Sequence, residues 1–181
     1  ILFSPLICLI LVFREKYRNG FLQKCGIFSG MQTDRELKHS PIWVHAVSVG
    51  EVMATIPFIK EIKKEYPDIP VLLSTVTETG NYTARRNAKD VDRVIYFPFD
   101  YPPIVRRMIS KIKPVAFVTL ETEIWPNFLK ELNRQSIPAM IISGRISHNS
   151  FNSYFFFRSF FKKVLSHISF FCMQTQKDAD R

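Results

Sequence analysis

Only three cysteines occur in the 181 residues, Cys8, Cys25 and Cys172, far apart and with no CxxC pair. That argues against a disulfide framework or a zinc ribbon and fits a reducing compartment, where each thiol behaves as a small hydrophobe. His39, His45, His148 and His167 do not cluster with the cysteines, so no metal site is indicated. The sequence contains no GxGxxG and no GxxxxGK[ST], which removes support for a dinucleotide dehydrogenase and for a P-loop enzyme. Acidic residues are few beside basic ones, 16 against 25, leaving a formal charge of +9. A surplus of that size implies an anionic partner: phosphate groups, a membrane surface or nucleic acid. What the chain does have is 46% hydrophobic residues, enough for one good core and too many for disorder.

Residues 1–13, ILFSPLICLILVF, are almost wholly apolar, and Arg14, Lys16, Arg18 and Lys24 follow directly. A spanning helix needs about 20 apolar residues, so the run is short for one by itself and reads as the end of a truncated anchor. Its basic flank puts the following chain on the cytoplasmic side. A signal peptide carries its charge on the other side of the apolar run, and a buried core helix is the plainer alternative. Residues 26–41, with Gly26, Gly30 and Ser40-Pro41, read as a linker. The expected organisation is an anchor with basic flank over 1–25, a linker over 26–41 and a folded domain over 42–181. The chain lacks an initiating Met and stops at Asp178-Ala179-Asp180-Arg181 where a helix begins, so it is expected to be a fragment.

From Ile42 the pattern becomes regular. Ile42-Trp43-Val44-His45 is a buried-strand run. It breaks at Ser48-Val49-Gly50, and Val52, Ile56, Ile59 and Ile62 then recur at helical spacing. Further strands are expected at 71–75, 94–97, 115–120, 139–142 and 168–173, and helices at about 51–65, 80–89, 102–112, 126–135 and 151–166. Strands alternating with helices of this length predict an α/β fold with a doubly wound parallel sheet. In such a sheet the turns after the strands share one edge, where ligands bind. Those turns carry Ser48, Gly50 and Glu51; Thr77, Glu78, Thr79 and Gly80; Asp100; Glu121 and Glu123; and Arg145. Core packing does not ask for carboxylates there. Helix capping accounts for Asp100, but less well for Glu121 and Glu123 beside Trp125 and Pro126. Glu51, on the opening turn of the first helix, is the leading candidate for a general base. His45, inside the first strand, is expected to be a hydrogen-bonded core histidine rather than a ligand.

The runs His45-Ala46-Val47-Ser48-Val49-Gly50-Glu51, Thr77-Glu78-Thr79-Gly80 and Glu121-Thr122-Glu123-Ile124-Trp125-Pro126-Asn127 resemble the 3-deoxy-D-manno-octulosonic-acid (Kdo) transferases of lipopolysaccharide assembly. The likeness continues through Phe97-Pro98-Phe99-Asp100, Ser143-Gly144-Arg145-Ile146-Ser147 and Gln174-Thr175-Gln176-Lys177-Asp178-Ala179. It implies the N-terminal, acceptor-binding, Rossmann-like domain of a GT-B glycosyltransferase, preceded by an apolar helical anchor, with the C-terminal donor domain absent. The donor would be CMP-Kdo and the acceptor a lipid A precursor, lipid IVA, with no further cofactor, at the cytoplasmic side of the inner membrane. By the same likeness Glu51 matches the catalytic base and Glu121 a second active-site carboxylate. Ser48, Gly50, Thr77, Thr79, Gly80, Glu123 and Arg145 are the expected substrate-binding residues.

Inverting glycosyl transfer needs a base within reach of the acceptor hydroxyl, which Glu51 can supply. Arg85, Arg86, Lys89, Arg93, Arg106, Arg107, Lys111 and Lys113 suit lipid phosphates or an anionic membrane surface. In 151–165, Phe157, Phe160, Phe161 and Val164 share one helical face and read as core. Tyr154, Phe155 and Phe156 with Arg158, Lys162 and Lys163 suit a membrane interface. The competing reading is a non-catalytic basic α/β module that binds anionic lipid or nucleic acid. Glu51, Glu78, Glu121 and Glu123 on the binding edge count against it, since each repels phosphate, and no nucleic-acid-reading motif is present.

Overall fold

The computed structural model describes residues 15–27 and 39–181. The apolar run of the expected anchor and residues 28–38 of the expected linker lie outside the described residues. Six strands, β1 Ile42–His45, β2 Val71–Thr75, β3 Arg93–Tyr96, β4 Ala116–Leu120, β5 Ala139–Gly144 and β6 Phe170–Met173, form one sheet. All neighbours run parallel, in the order β3-β2-β1-β4-β5-β6. The described helices are α1 Glu15–Lys24, α2 Val49–Glu65, α3 Glu78–Asn87, α4 Pro102–Ile112, α5 Pro126–Arg134, α6 His148–Phe156, α7 Arg158–Leu165 and α8 Gln176–Asp180. This is the doubly wound, Rossmann-like α/β architecture expected.

Parallel strands need crossovers, and the crossover helices cover both faces of the sheet. That is why β1 reads as a continuous apolar run: Trp43, Val44, His45 and Ala46 are all fully buried. Alternation along the strands divides the core in two. Val44, Val71 and Leu73 pack with Val52 and Ile59 of α2 and Ala84 of α3. Trp43, Leu72, Ile95, Phe117 and Ile141 pack on the other face with Met108 and Ile109 of α4, Phe128 and Leu132 of α5 and Val164 of α7. Trp43 anchors that second face. Its ring meets Phe128 edge-on at 5.0 Å and Phe117 at 6.0 Å, and its indole N–H donates to Ser74 Oγ at 2.7 Å.

Three local features depart from the sequence pattern. Residues 15–24, expected as the basic flank of an anchor, form α1 against the outer edge of β3. The Tyr96 N–H donates to Gln23 Oε1 at 3.2 Å, the Phe99 N–H donates to the Lys24 carbonyl at 2.9 Å, and Phe21 meets Phe99 edge-on. The helix thereby covers a strand edge that would otherwise be open. The helix expected at 151–166 is broken at Phe157. Three consecutive aromatics of modest helix propensity mark the break, and across it Tyr154 packs on Phe161 with ring centroids 4.2 Å apart. Phe157 and Phe160, expected in the core with Phe161 and Val164, are instead exposed together with Phe155 and Phe156, as are Phe170, Phe171 and Cys172 of β6. Among the described residues no helix is long and apolar enough to cross a membrane.

Asp100 does cap a helix, but not the one that follows it. Its carboxylate accepts the Phe128 N–H at 2.7 Å and the Asn127 N–H at 3.1 Å, closing the N-terminus of α5 from the loop after β3. Burial pushes this carboxyl up, and the donors from Asn127 and Phe128 oppose that rise. Removing the cap by Asp100→Ala is expected to cost about 1–2 kcal/mol, read as a lower urea midpoint with an unchanged slope. An unchanged midpoint would mean that α5 does not depend on this contact.

Candidate functional site

β1 and β4 pair side by side, yet the chain leaves them for opposite faces, to α2 after β1 and to α5 after β4. A crevice therefore opens between their carboxyl ends, the usual ligand position in open α/β sheets. The loop after β1 carries Ser48, Gly50 and Glu51, and the loop after β4 carries Glu121 and Glu123.

Glu51 sits half-buried in the first turn of α2. Its Oε2 accepts the Val47 N–H at 2.8 Å, and its Oε1 accepts the Ser48 hydroxyl at 2.8 Å. Ser48-Val49-Gly50-Glu51 has the spacing of a capping box, but the box is rearranged. Ser48 is the N-cap residue, and its side chain accepts no helix N–H because the hydroxyl is turned onto the Glu51 carboxylate instead. Each carboxylate oxygen is thus oriented by one donor and keeps acceptor capacity for another. Nothing lies within 4 Å of where a Cβ on Gly50 would stand, so the same turn is open outward.

The turn after β2 braces the turn after β1. Thr77 Oγ1 accepts the Gly80 N–H at 3.0 Å, capping α3, and donates to the Val47 carbonyl at 3.1 Å. The Thr77 N–H reaches the same carbonyl at 3.4 Å. A Cβ at Gly80 would come within 2.8 Å of Thr77 Oγ1 and 3.2 Å of the Val47 carbonyl, so only glycine permits this approach. Thr77 and Gly80 therefore touch the Glu51 loop, while Thr79 is exposed on the outer side of the turn.

On the far side of the crevice Glu121 has φ +55°. That left-handed backbone costs a non-glycine residue about 1–2 kcal/mol, and such conformations concentrate at functional sites. The Glu121 N–H is fixed to the Ile142 carbonyl at 3.0 Å. Arg145 Nη2 lies 3.9 Å from Glu121 Oε2, a solvent-exposed pair of little energetic weight. Main chain holds Arg145 more firmly: its N–H donates to Thr122 Oγ1 at 3.1 Å, and the Thr122 hydroxyl donates to its carbonyl. Gln174 binds the Ser143 carbonyl at 3.1 Å, and Asp178 accepts the Ile146 N–H at 2.9 Å. The Gln174–Ala179 block thus secures the Arg145 loop from below.

Glu123 feels the charge of both walls. Burial raises its proton affinity most, and the charges of Glu51 and then Glu121 raise it further, while the Trp125 indole lowers it. The structure thereby brings Glu51, Glu121 and Glu123 within electrostatic reach at one crevice. Although the indole favours the ionised Glu123, the Trp125 N–H is buried without a well-formed hydrogen bond. Tyr154, which sequence reasoning placed on an apolar surface, also belongs here: burial and the Glu123 charge push its phenol up. No motif marks it, because its position depends on how α6 folds back.

His45 is a core residue, as expected. It is fully buried, its Nδ1 lies 2.9 Å from Ser74 Oγ, and its ring stacks on Phe97 at 4.0 Å. Burial lowers its pKa to about 3. Among the described residues no three His, Cys, Asp or Glu side chains are grouped to hold a metal ion.

The family model described as 3-deoxy-D-manno-octulosonic-acid transferase (kdotransferase) matches residues 16–181. The 3-deoxy-D-manno-octulosonic acid transferase of Haemophilus influenzae is 28% identical over 92% of this chain and 38% of its own length. That of Chlamydophila psittaci is 26% identical over 100% of this chain and 42% of its own. A bifunctional glycosyltransferase/methyltransferase of Fusobacterium nucleatum is 34% identical over 77% of this chain and 22% of its own. The chain thus spans well under half the length of these relatives.

Two substitutions test the packing that carries the site. Gly80→Ala is expected to destabilise by about 1–3 kcal/mol through overpacking against Thr77 and Val47, seen as a lower melting temperature; an unchanged one would contradict the brace. For His45 the folded-state pKa lies below the unfolded value of roughly 6.5, so the unfolded chain binds the proton first. Its contribution is full above that unfolded pKa and is lost as pH falls towards about 3. Between pH 7 and 5, His45→Gln should therefore lose less stability than the wild type in urea titrations, and equal losses would contradict the assignment.

Proposed function

Because the chain belongs to the 3-deoxy-D-manno-octulosonic-acid transferase family, we propose that it is the acceptor-binding half of an inverting glycosyltransferase. The enzyme moves Kdo from CMP-Kdo to a lipid A precursor, lipid IVA, and a second Rossmann-like domain in the GT-B arrangement carries the donor site. The observation that carries this reading is Glu51, half-buried and held by Val47 and Ser48 at the carboxyl edge of the sheet.

In the reaction the acceptor hydroxyl attacks the anomeric carbon of Kdo, and its proton passes to a free lone pair of Glu51. The anomeric C–O bond breaks with both electrons on the phosphate of CMP, a good leaving group that needs no strong acid. Glu121 and Arg145 line the opposite wall, where the guanidinium suits a phosphate of the glycolipid. No further cofactor enters the scheme.

The chain works at the cytoplasmic face of the inner membrane. Exposed Phe155, Phe156, Phe157 and Phe160 beside Arg158, Lys162 and Lys163 support contact with an anionic surface. A non-catalytic polyanion binder is the poorer reading, because three carboxylates at the crevice repel phosphate.

In the full-length enzyme Glu51→Gln is expected to lower kcat on the order of 10²–10⁴-fold with acceptor binding nearly intact. The assay is CMP release that depends on added lipid acceptor. A near-normal rate would refute Glu51 as the base.

A further inference from the structure

We infer that Lys24, on α1 and outside the crevice, is a positioning residue for Glu51, acting through hydrogen bonds that the Val76–Thr77 peptide and the main chain of Val47 join end to end. The inference rests on the reading of Glu51 as the base.

Lys24 closes α1, and both its ends are fastened. Its carbonyl accepts the Phe99 N–H at 2.9 Å, and its Nζ donates to the Val76 carbonyl at 2.9 Å, 52 residues away in sequence. The ammonium also lies 5.3 Å from the centre of the Tyr96 ring and near the Glu78 carboxylate. A charged head left half-buried loses hydration and is stable only where bonds replace it. Val76 and the Tyr96 ring supply that replacement.

From Val76 main chain and hydrogen bonds alternate. Val76 leads directly into Thr77, whose N–H and hydroxyl both converge on the Val47 carbonyl. Val47 in turn donates its N–H to Glu51 Oε2 at 2.8 Å. Gly80 keeps the two turns close, since any larger residue would strike both Thr77 and Val47. Releasing Nζ frees the Val76–Thr77 segment at the point where it braces Val47, so the Val47 N–H can turn away from Glu51.

The charges around the two ends differ. Lys24 is met by Glu78 and Tyr96, with Arg85 acting on that same phenol. Glu51 is met by Glu123 from the loop after β4, with Glu121 beside it. Glu78 is the carboxylate whose charge acts on Lys24, while hydrogen bonds and main chain link Lys24 to the Glu51 loop. A weakened N–H donor disfavours the charged carboxylate, which gives the relay a signature that simple unfolding lacks.

The test uses the full-length enzyme with CMP-Kdo and lipid acceptor, comparing Lys24→Met with Lys24→Arg. Lys24→Met is expected to lower kcat about tenfold through misplacement of the base, with acceptor KM nearly unchanged. It should also move the acid limb of the kcat–pH profile upward by about half a unit. Lys24→Arg, still able to donate to Val76, should recover most of both. Lys24→Gln, polar but too short to reach Val76, repeats the measurement if the Met variant folds poorly and should match its expected behaviour. An acid limb that stays in place, with kcat either unchanged or falling only in step with the folded fraction, overturns the relay. If Glu51→Gln is inactive while that limb stays in place, the relay fails and the base stands. If Glu51→Gln remains active, the base reading fails and takes the relay with it.

Discussion

The pairing of β4 with β1, rather than with the strand that precedes it in sequence, is the constraint on which the rest of the structure depends. It reverses the direction in which the sheet is wound and sends the chain from two adjacent strands to opposite faces. The aliphatic layer beneath α2 and α3 and the aromatic layer beneath α4, α5 and α7 are the two halves produced by that reversal. So is the crevice. No side chain has to hold it open, because the loops after β1 and β4 diverge as a matter of topology.

Within that frame the polar residues of the turns divide into two kinds. Most spend their hydrogen bonds on other turns: Thr77 on Val47, Thr122 on Arg145, Gln174 on Ser143, Asp178 on Ile146 and Asp100 on α5. They make the carboxyl edge of the sheet a stiff rim of loops tied one to the next. Glu51, Glu121 and Glu123 are the other kind. They gather negative charge into one place, at a cost visible in the raised proton affinity of Glu123 and in the left-handed backbone of Glu121. Local cost retained at the open edge of a sheet is the pattern expected of a site shaped by chemistry rather than by folding.

Much of this was legible in the sequence. A run that is apolar on every residue, as from Ile42, can only be buried on both sides. The strand expected at Val71–Thr75 and the helix expected at 102–112 likewise have the bounds observed. The order of strands and turns was enough to anticipate which loops share an edge. What escaped was whatever depends on contacts between distant segments. α1 has no strong apolar stripe and is helical because Gln23, Phe21 and Lys24 dock on β3 and its loop. At Phe157 the aromatic run breaks the helix, and the contact of Tyr154 with Phe161 across the break is not encoded by periodicity. The Thr77-Glu78-Thr79-Gly80 motif was visible, but its work as a brace for Val47 needed the distance across the two turns. The coupling of Glu123 to both walls was hidden for the same reason.

For Glu51 to serve as the proposed base, the reacting hydroxyl of an acceptor must enter the crevice beside β1. The most direct measurement is a crystal structure of the full-length protein with the proposed lipid acceptor and an unreactive CMP-sugar bound. The acceptor hydroxyl is expected within about 2.6–3.2 Å of a Glu51 carboxylate oxygen, with Val47 and Ser48 still donating to that carboxylate. An acceptor seated away from the β1–β4 crevice, or a Glu51 turned wholly back onto its own helix in that complex, would contradict it.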